Sequence, residues 1–262
     1  MSLFLQCAPK AARSAASCPG GILGSRLLVT LAVPYLLMVG NARLLTSEWF
    51  VRVEYSRPGF PEDSFGMSSS DRLMYGVYCI RYMTNGEGID YLKNLTLPHD
   101  MCHWSRRPAQ KTEGCQMFTE KELSHMQDVK ALSGALFVAF WGLLVLAAVA
   151  VAFLLHVADS KVLKLALLRG SQLTLGLILA VSIFALLGFK TLFRWFHVLF
   201  FTGDSWLFSF RDTLIRLYPR QFWLDATLIL SCSTLVLSMA ATIVFRGSRL
   251  PLHPKEKSED HV

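Results

Sequence analysis

Charge is what this sequence has too little of. Lysine, arginine, aspartate and glutamate make up 17% of its 262 residues, whereas a water-soluble surface needs roughly 25%. Apolar residues reach 53%, so the chain cannot cover itself as a soluble globule. Aromatics are not lacking: 18 Phe, 6 Trp and 7 Tyr exclude a disordered chain. No basic stretch is interleaved with a recognisable RNA or DNA motif, so the net charge of +7 reflects membrane flanks and not nucleic acid. No cleavable signal is expected either. Lys10, Arg13 and Arg26 precede an apolar run that is too long and lacks a clean small-x-small site, which reads as a signal anchor. An integral membrane protein with some extramembrane mass is what these absences leave.

Four segments can cross a hydrocarbon core of about 30 Å, which takes about 20 apolar residues in a helix. They are expected at 27–45, 131–158, 173–201 and 224–245. The second has no charged residue, and the first holds Pro34, with Asn41 and Arg43 near its far end. Helices are expected because an open strand in lipid leaves backbone groups unpaired. The fold class is therefore membrane all-α, with four transmembrane helices and a small mixed cap, 46–130, between the first and second. The remaining pieces are an N-terminus (1–26), a loop at 159–172, a second cap-side loop at 202–223 and a tail at 246–262.

Four spans put both termini on one side. That side carries ten lysines and arginines, among them Lys161, Lys164, Arg169, Arg246 and Lys255, against Arg211, Arg216 and Arg220 in the opposite short loop. By the positive-inside rule the termini are cytoplasmic and the cap is extracellular.

In the cap, the alternation Trp49-Phe50-Val51-Arg52-Val53-Glu54-Tyr55 predicts a strand, and a helical piece is expected over 70–81. Cys79, Cys102 and Cys115 allow one disulfide in an oxidising compartment, and spacing does not select the pair. His99, Cys102 and His103 lack a second cysteine pair at finger spacing, so no metal is expected. Asn94-Leu95-Thr96 is a glycosylation sequon, without meaning in a bacterium. In the 202–223 loop, Ser209 with Asp212 reads as a capping box. Phe210, Leu214 and Leu217 then share a face, Asp212 and Arg216 pair at i,i+4, and Pro219 ends the helix, which is expected to lie in the membrane interface. Ten aromatics fall between Trp195 and Trp223, most of them readable as an interfacial belt.

Two histidines stand out. Thr119 and Glu122 form a capping box, so a helix starting near Glu120 runs into the second span and carries His125. His197 lies at the far end of the third span. The second span leaves the cap and the third returns to it, so topology alone puts both imidazoles at one depth beneath the cap. Lys190, Arg194, His197 and Phe201 follow at i, i+4, i+7 and i+11, one face of a helix. The plainer reading of Lys190 and Arg194 is snorkelling to headgroups, and of each histidine a surface or interfacial residue. Asp128, three residues after His125, is placed to orient its ring, which favours His125 as the base.

The run His125-Met126-x-Asp128-Val129-Lys130, then Phe196-His197-x-x-Phe200-Phe201, Gly203-Asp204-x-Trp206 and Asp212-x-Leu214-Ile215, resembles the bacterial lipoprotein intramolecular transacylase family. The cap from 46 to 116 matches only loosely. The resemblance implies a multi-pass enzyme of the bacterial cell membrane acting on a diacylated lipoprotein amid membrane lipid. It would move the sn-2 acyl chain of the S-diacylglyceryl cysteine to the cysteine α-amine, giving a lyso-form lipoprotein without a cofactor. His125 and His197 carry over as the catalytic pair. Asp128, Lys190, Arg194, Phe200, Phe201, Asp204, Trp206 and Asp212 are the substrate-binding candidates.

The chemistry is consistent with that. A histidine of ordinary pKa, about 6.5, can take the proton lost as the C–N bond forms and return it to the leaving oxygen. Activity is then expected to fall on acidification through about pH 6–7. No serine or cysteine pairs with these histidines as a nucleophile, which favours direct transfer over an acyl-enzyme. The alternatives are another membrane lipid acyltransferase or hydrolase, and a non-catalytic four-span scaffold.

Overall fold

The first long helix, α1 (Pro19–Leu45), is the hub of the membrane bundle. It packs along α5 (Glu120–Val157) and α6 (Ser160–Phe200), and less extensively on α8 (Arg220–Gly247), while α6 and α8 form the most extensive pair. The computed structural model describes residues 19–97 and 115–247. These four helices are long and apolar enough to cross a membrane. Their outer faces carry Val138, Trp141 and Leu187, the last 83% exposed, a surface that needs lipid around it. The protein is a multi-pass, all-α membrane protein.

Small residues and backbone contacts set the packing. A Cβ added at Gly170 of α6 would lie 2.8 Å from the Thr30 carbonyl oxygen and from the Val33 side chain on α1. Only glycine permits that approach. Thr30 donates to the Ala166 carbonyl at 3.3 Å, Tyr35 to the Leu136 carbonyl at 2.9 Å, and Asn41 to Thr234 Oγ1 at 3.3 Å. Polar groups inside lipid are thus satisfied helix to helix.

All four long helices extend beyond the expected spans. Pro19 opens α1, eight residues before the expected start of that span, a position where its missing N–H costs nothing. The loop expected at 159–172 is helical from Ser160 on, because Asp159 caps α6 by accepting from Lys161 N at 2.9 Å. Helix α6 is interrupted at Gly188 (φ −167°, ψ 66°), which sets its last stretch apart from the rest.

The cap sits where α1 ends, α5 begins, α6 ends and α8 begins. It consists of α2 (Glu48–Ser56), α3 (Ser69–Thr84), the short α4 (Asp90–Lys93) and α7 (Thr213–Leu217), with the first turns of α5. The expected strand at 49–55 is instead helix α2. Ser47 caps it by accepting from Phe50 N, and Phe50, Val51 and Glu54 are its buried face. That i, i+1, i+4 spacing is helical, and packing on the cap core overrides the strand-like alternation. The helix expected over 70–81 is there as α3. Among the described residues the cap has no strand, only an antiparallel bridge between Thr96 and Gln116.

The helix of the 202–223 loop packs into the cap. Thr213, Leu214, Arg216 and Leu217 of α7 are buried in the cap, while Phe210 is 85% exposed. Ser209 does not start it. The helix begins after Asp212, whose Oδ2 accepts from Ser209 N at 2.7 Å. Arg216 does not pair with Asp212. It forms a two-pronged bond to Asp63, with Nε to Oδ1 at 3.1 Å and Nη2 to Oδ2 at 2.9 Å. Burial alone would raise the Asp63 carboxyl. The Arg216 guanidinium and the N–H groups of Met67 and Phe65 outweigh it and hold Asp63 below the usual carboxylate range. Arg72, also buried, donates to the Arg216 carbonyl at 2.9 Å and to the Pro61 carbonyl at 2.7 Å. Tyr218 donates to the Gly76 carbonyl at 2.6 Å. The segment after α6 is thereby threaded through the cap.

Cys115 is disulfide-bonded, and Cys79 is free and buried. His99, Cys102 and His103 lie outside the described residues.

Candidate active site beneath the cap

The Thr119–Glu122 capping box starts α5, with Glu122 N donating to Thr119 Oγ1 at 3.2 Å and Thr119 N to Glu122 Oε2 at 2.8 Å. Glu122 also accepts from Leu214 N at 2.8 Å, which fixes the start of α5 against α7. One turn further on is His125. His197 is in the last turn of α6, next to the C-cap Phe201. The two imidazole rings are 5.9 Å apart between centroids and nearly parallel, at 22°. Each is 8% exposed. At this separation one nitrogen from each ring can reach the same reacting group.

Aromatic rings enclose the pair. Phe201 lies 5.0 Å from His125 and 5.5 Å from His197. Phe208 is 5.3 Å from His125, and Trp206 is 5.1 Å from His197. Phe193 is 4.2 Å and Phe196 5.5 Å from His197. Trp206 is itself held by donating to the Gly203 carbonyl at 3.1 Å, across the turn that Gly203 makes at φ +70°. Lys121 ties this loop to α5 by donating to the Leu207 carbonyl at 2.5 Å.

The two histidines differ in hydrogen bonding. His197 Nδ1 donates to the Phe193 carbonyl oxygen at 2.7 Å, which leaves its Nε2 lone pair free. His125 Nδ1 is buried without a partner among the described residues. Asp128 does not orient the His125 ring. Its carboxylate instead accepts from Ser205 Oγ at 3.4 Å.

Of the substrate-binding candidates, Phe201 and Trp206 lie against the pair. Phe200 does not: it is 44% exposed and packs against Phe196, with the rings 5.0 Å apart and tilted by 53°. Lys190 and Arg194 are exposed on α6 beyond the Gly188 break, and Asp204 is exposed in the turn. Asp212 is buried at the start of α7, within the cap. Sequence reasoning missed Phe193 and Phe208. Phe193 was within reach, four residues before His197 on the same helix face. Phe208 depends on the path of an irregular loop. Clefts of about 360 and 290 Å³ open on the outer sides of α2 and α3, around Arg52, and neither is lined by a histidine.

A multi-helix membrane protein whose cap presses two buried histidines together among aromatic rings defines a class: a multi-pass membrane enzyme. The chain belongs to the lipoprotein intramolecular transacylase (Lit) family, whose pattern it matches over residues 27–223, and so to the acyltransferases. An uncharacterised protein of Aquifex aeolicus (strain VF5) is 30% identical over 205 residues, covering 78% of this chain and 85% of that one. The membrane-integral lipoprotein intramolecular transacylase Lit of Bacillus cereus shares the fold at a TM-score of 0.66 and 19% identity, over 86% of this chain and 94% of that one. A variant of the B. cereus protein with a histidine mutation gives 0.61 at 18% identity, over 86% and 91%.

Proposed function

We propose that this protein moves the sn-2 acyl chain of a lipoprotein's S-diacylglyceryl cysteine onto the α-amine of that same cysteine. The observation that carries the reading is the facing histidine pair, buried in an aromatic enclosure at the base of the cap. The substrate is a diacylated lipoprotein in the bacterial cell membrane, and the reaction takes place at its extracellular face, with both chain termini cytoplasmic.

The neutral amine nitrogen attacks the ester carbonyl carbon, forming the C–N bond. The bond between the acyl carbon and the sn-2 oxygen then breaks, and the amine proton passes through a histidine to that departing glyceryl oxygen. Ester becomes amide, so the step runs downhill without an added reactant. His197 is assigned as the base. Its Nδ1–H is held by the Phe193 carbonyl, so Nε2 is the acceptor. This reverses the preference for His125, which rested on an Asp128 contact that does not form. His125, with its unpaired Nδ1, is assigned to the developing oxyanion, a contribution of roughly 3–4 kcal/mol for one good donor. Phe201, Trp206 and Phe208 confine the flexible glyceryl linker so that amine and ester meet. Phe200 faces the acyl chains, and Lys190 and Arg194 face lipid headgroups.

Expression in a bacterium that makes diacyl lipoproteins tests this. Tandem mass spectrometry of the lipoprotein N-terminus should find an unchanged total mass with one acyl group relocated to nitrogen. His125→Ala and His197→Ala should each cut conversion by at least about 100-fold. Release of a free fatty acid would mark a hydrolase and overturn the proposal, as would full activity in both variants.

A further inference from the structure

The geometry points to Asp128 as the counter-ion that binds the substrate's α-ammonium group before it is deprotonated, an inference that rests on the transacylase reading. Asp128 lies one helical turn beyond His125 on α5, and its carboxylate is exposed. Its one described partner is Ser205 Oγ, at 3.4 Å, the outer limit of a hydrogen bond. Ser205 adjoins Trp206, whose ring stands 5.1 Å from His197. The carboxylate therefore borders the histidine pair while being held only weakly. His125 supplies the second observation. More than nine-tenths buried, it leaves Nδ1 without a partner among the described residues, a polar atom open to a ligand.

An α-amine has a reference pKa of about 7.7–8.0, so in neutral medium most of it arrives as ammonium. An ammonium that enters a pocket walled by phenylalanine and tryptophan loses hydration that the ring faces repay only in part. Lys121, Lys130, Lys190 and Arg194 would repel it. An anion at the rim offers it a place to dock by displacing Ser205. The ammonium then gives up its proton to a histidine or to water and advances as the neutral nucleophile. Asp128 takes no part in bond making. It sets which N-termini the enzyme accepts: those with a free amine.

The test uses the purified full chain in proteoliposomes, with a synthetic diacylated lipopeptide bearing a free N-terminus. Asp128→Asn should raise KM about two- to fivefold, the range of an exposed ion pair, with kcat changed less than about twofold. Raising the salt concentration should raise KM of the native enzyme, because ions screen exposed charges over a length of about 10 Å at 0.1 M, and should fail to raise that of Asp128→Asn, where only the repulsion by the lysines and Arg194 is left to screen. Asp128→Glu should recover most of the affinity, and Ser205→Ala should hold KM level or lower it. An unaltered KM in Asp128→Asn, a loss confined to kcat, or salt-independence of the native KM would overturn the assignment. Active His125→Ala and His197→Ala enzymes would sink the transacylase reading itself. Inactive histidine variants beside a native-like Asp128→Asn would remove only the ammonium site.

Discussion

The Arg216–Asp63 pair shows what a single residue holds in this cap. Both side chains are 2% exposed. The carboxylate receives two prongs from the guanidinium and two backbone N–H groups, from Phe65 at 3.1 Å and Met67 at 2.8 Å. Removing one partner strands the other as an unpaired buried charge, which costs about 3–5 kcal/mol. Arg216→Ala should therefore release the cap, read as early thermal unfolding and rapid proteolysis after α2 in detergent. Arg216→Lys should fall between, since an ammonium cannot make the fork. A native-like melt for Arg216→Ala would refute this. The pair was invisible in the sequence because its members stand 153 residues apart, and the i,i+4 spacing of Asp212 and Arg216 offered a nearer but wrong partner. The histidines were legible for the opposite reason. Their common depth follows from the direction of two consecutive helices, which needs no long-range contact to be known. Which ring nitrogens are paired is a matter of a carbonyl at 2.7 Å and could be seen only in coordinates.

Among the elements, α2 was the helix read as a strand. Its alternating run is strand-like in isolation, and Ser47 as cap together with burial on α3 makes it a helix. That helix places Glu54, 2% exposed, beside Asp225 at the start of α8, with Arg57 paired to both carboxylates. Gln221 also donates to Asp225, at 2.9 and 3.0 Å. Burial and the Asp225 carboxyl push Glu54 up to about 7, against an ordinary value near 4.5, while Arg57 only partly opposes them. A carboxyl whose pKa is raised by folding stabilises the fold fully below its unfolded pKa, and that stability drains away as pH climbs through the folded value. The melting temperature should thus fall by a few degrees between about pH 5 and about pH 8. Glu54→Gln, uncharged throughout, should flatten this slope. A slope that persists in Glu54→Gln would place its origin elsewhere.

At the scale of the whole molecule, four apolar runs long enough for lipid were legible from length alone, because nothing soluble needs about 20 uncharged residues in a row. The cap was not, since its core draws on α2, α3, α5, α7 and the head of α8, segments that sequence order scatters. Orientation rests on the ten-to-three lysine and arginine bias, and the structure turns that bias into two addresses. Phe210, 85% exposed, marks the cap end, and Asp159, in the tight turn between α5 and α6, marks the opposite end. A bilayer-deep bundle separates them. With the cap outside, Phe210→Cys should react with a membrane-impermeant maleimide in intact bacteria above the labelling of the parent protein. Asp159→Cys should react only after permeabilisation. The reverse pattern would put the histidine pair on the cytoplasmic side, away from lipoproteins displayed on the outer face of the membrane, and the proposed reaction would lose its substrate. Labelling, which needs no activity assay, therefore tests that reaction independently of the kinetics.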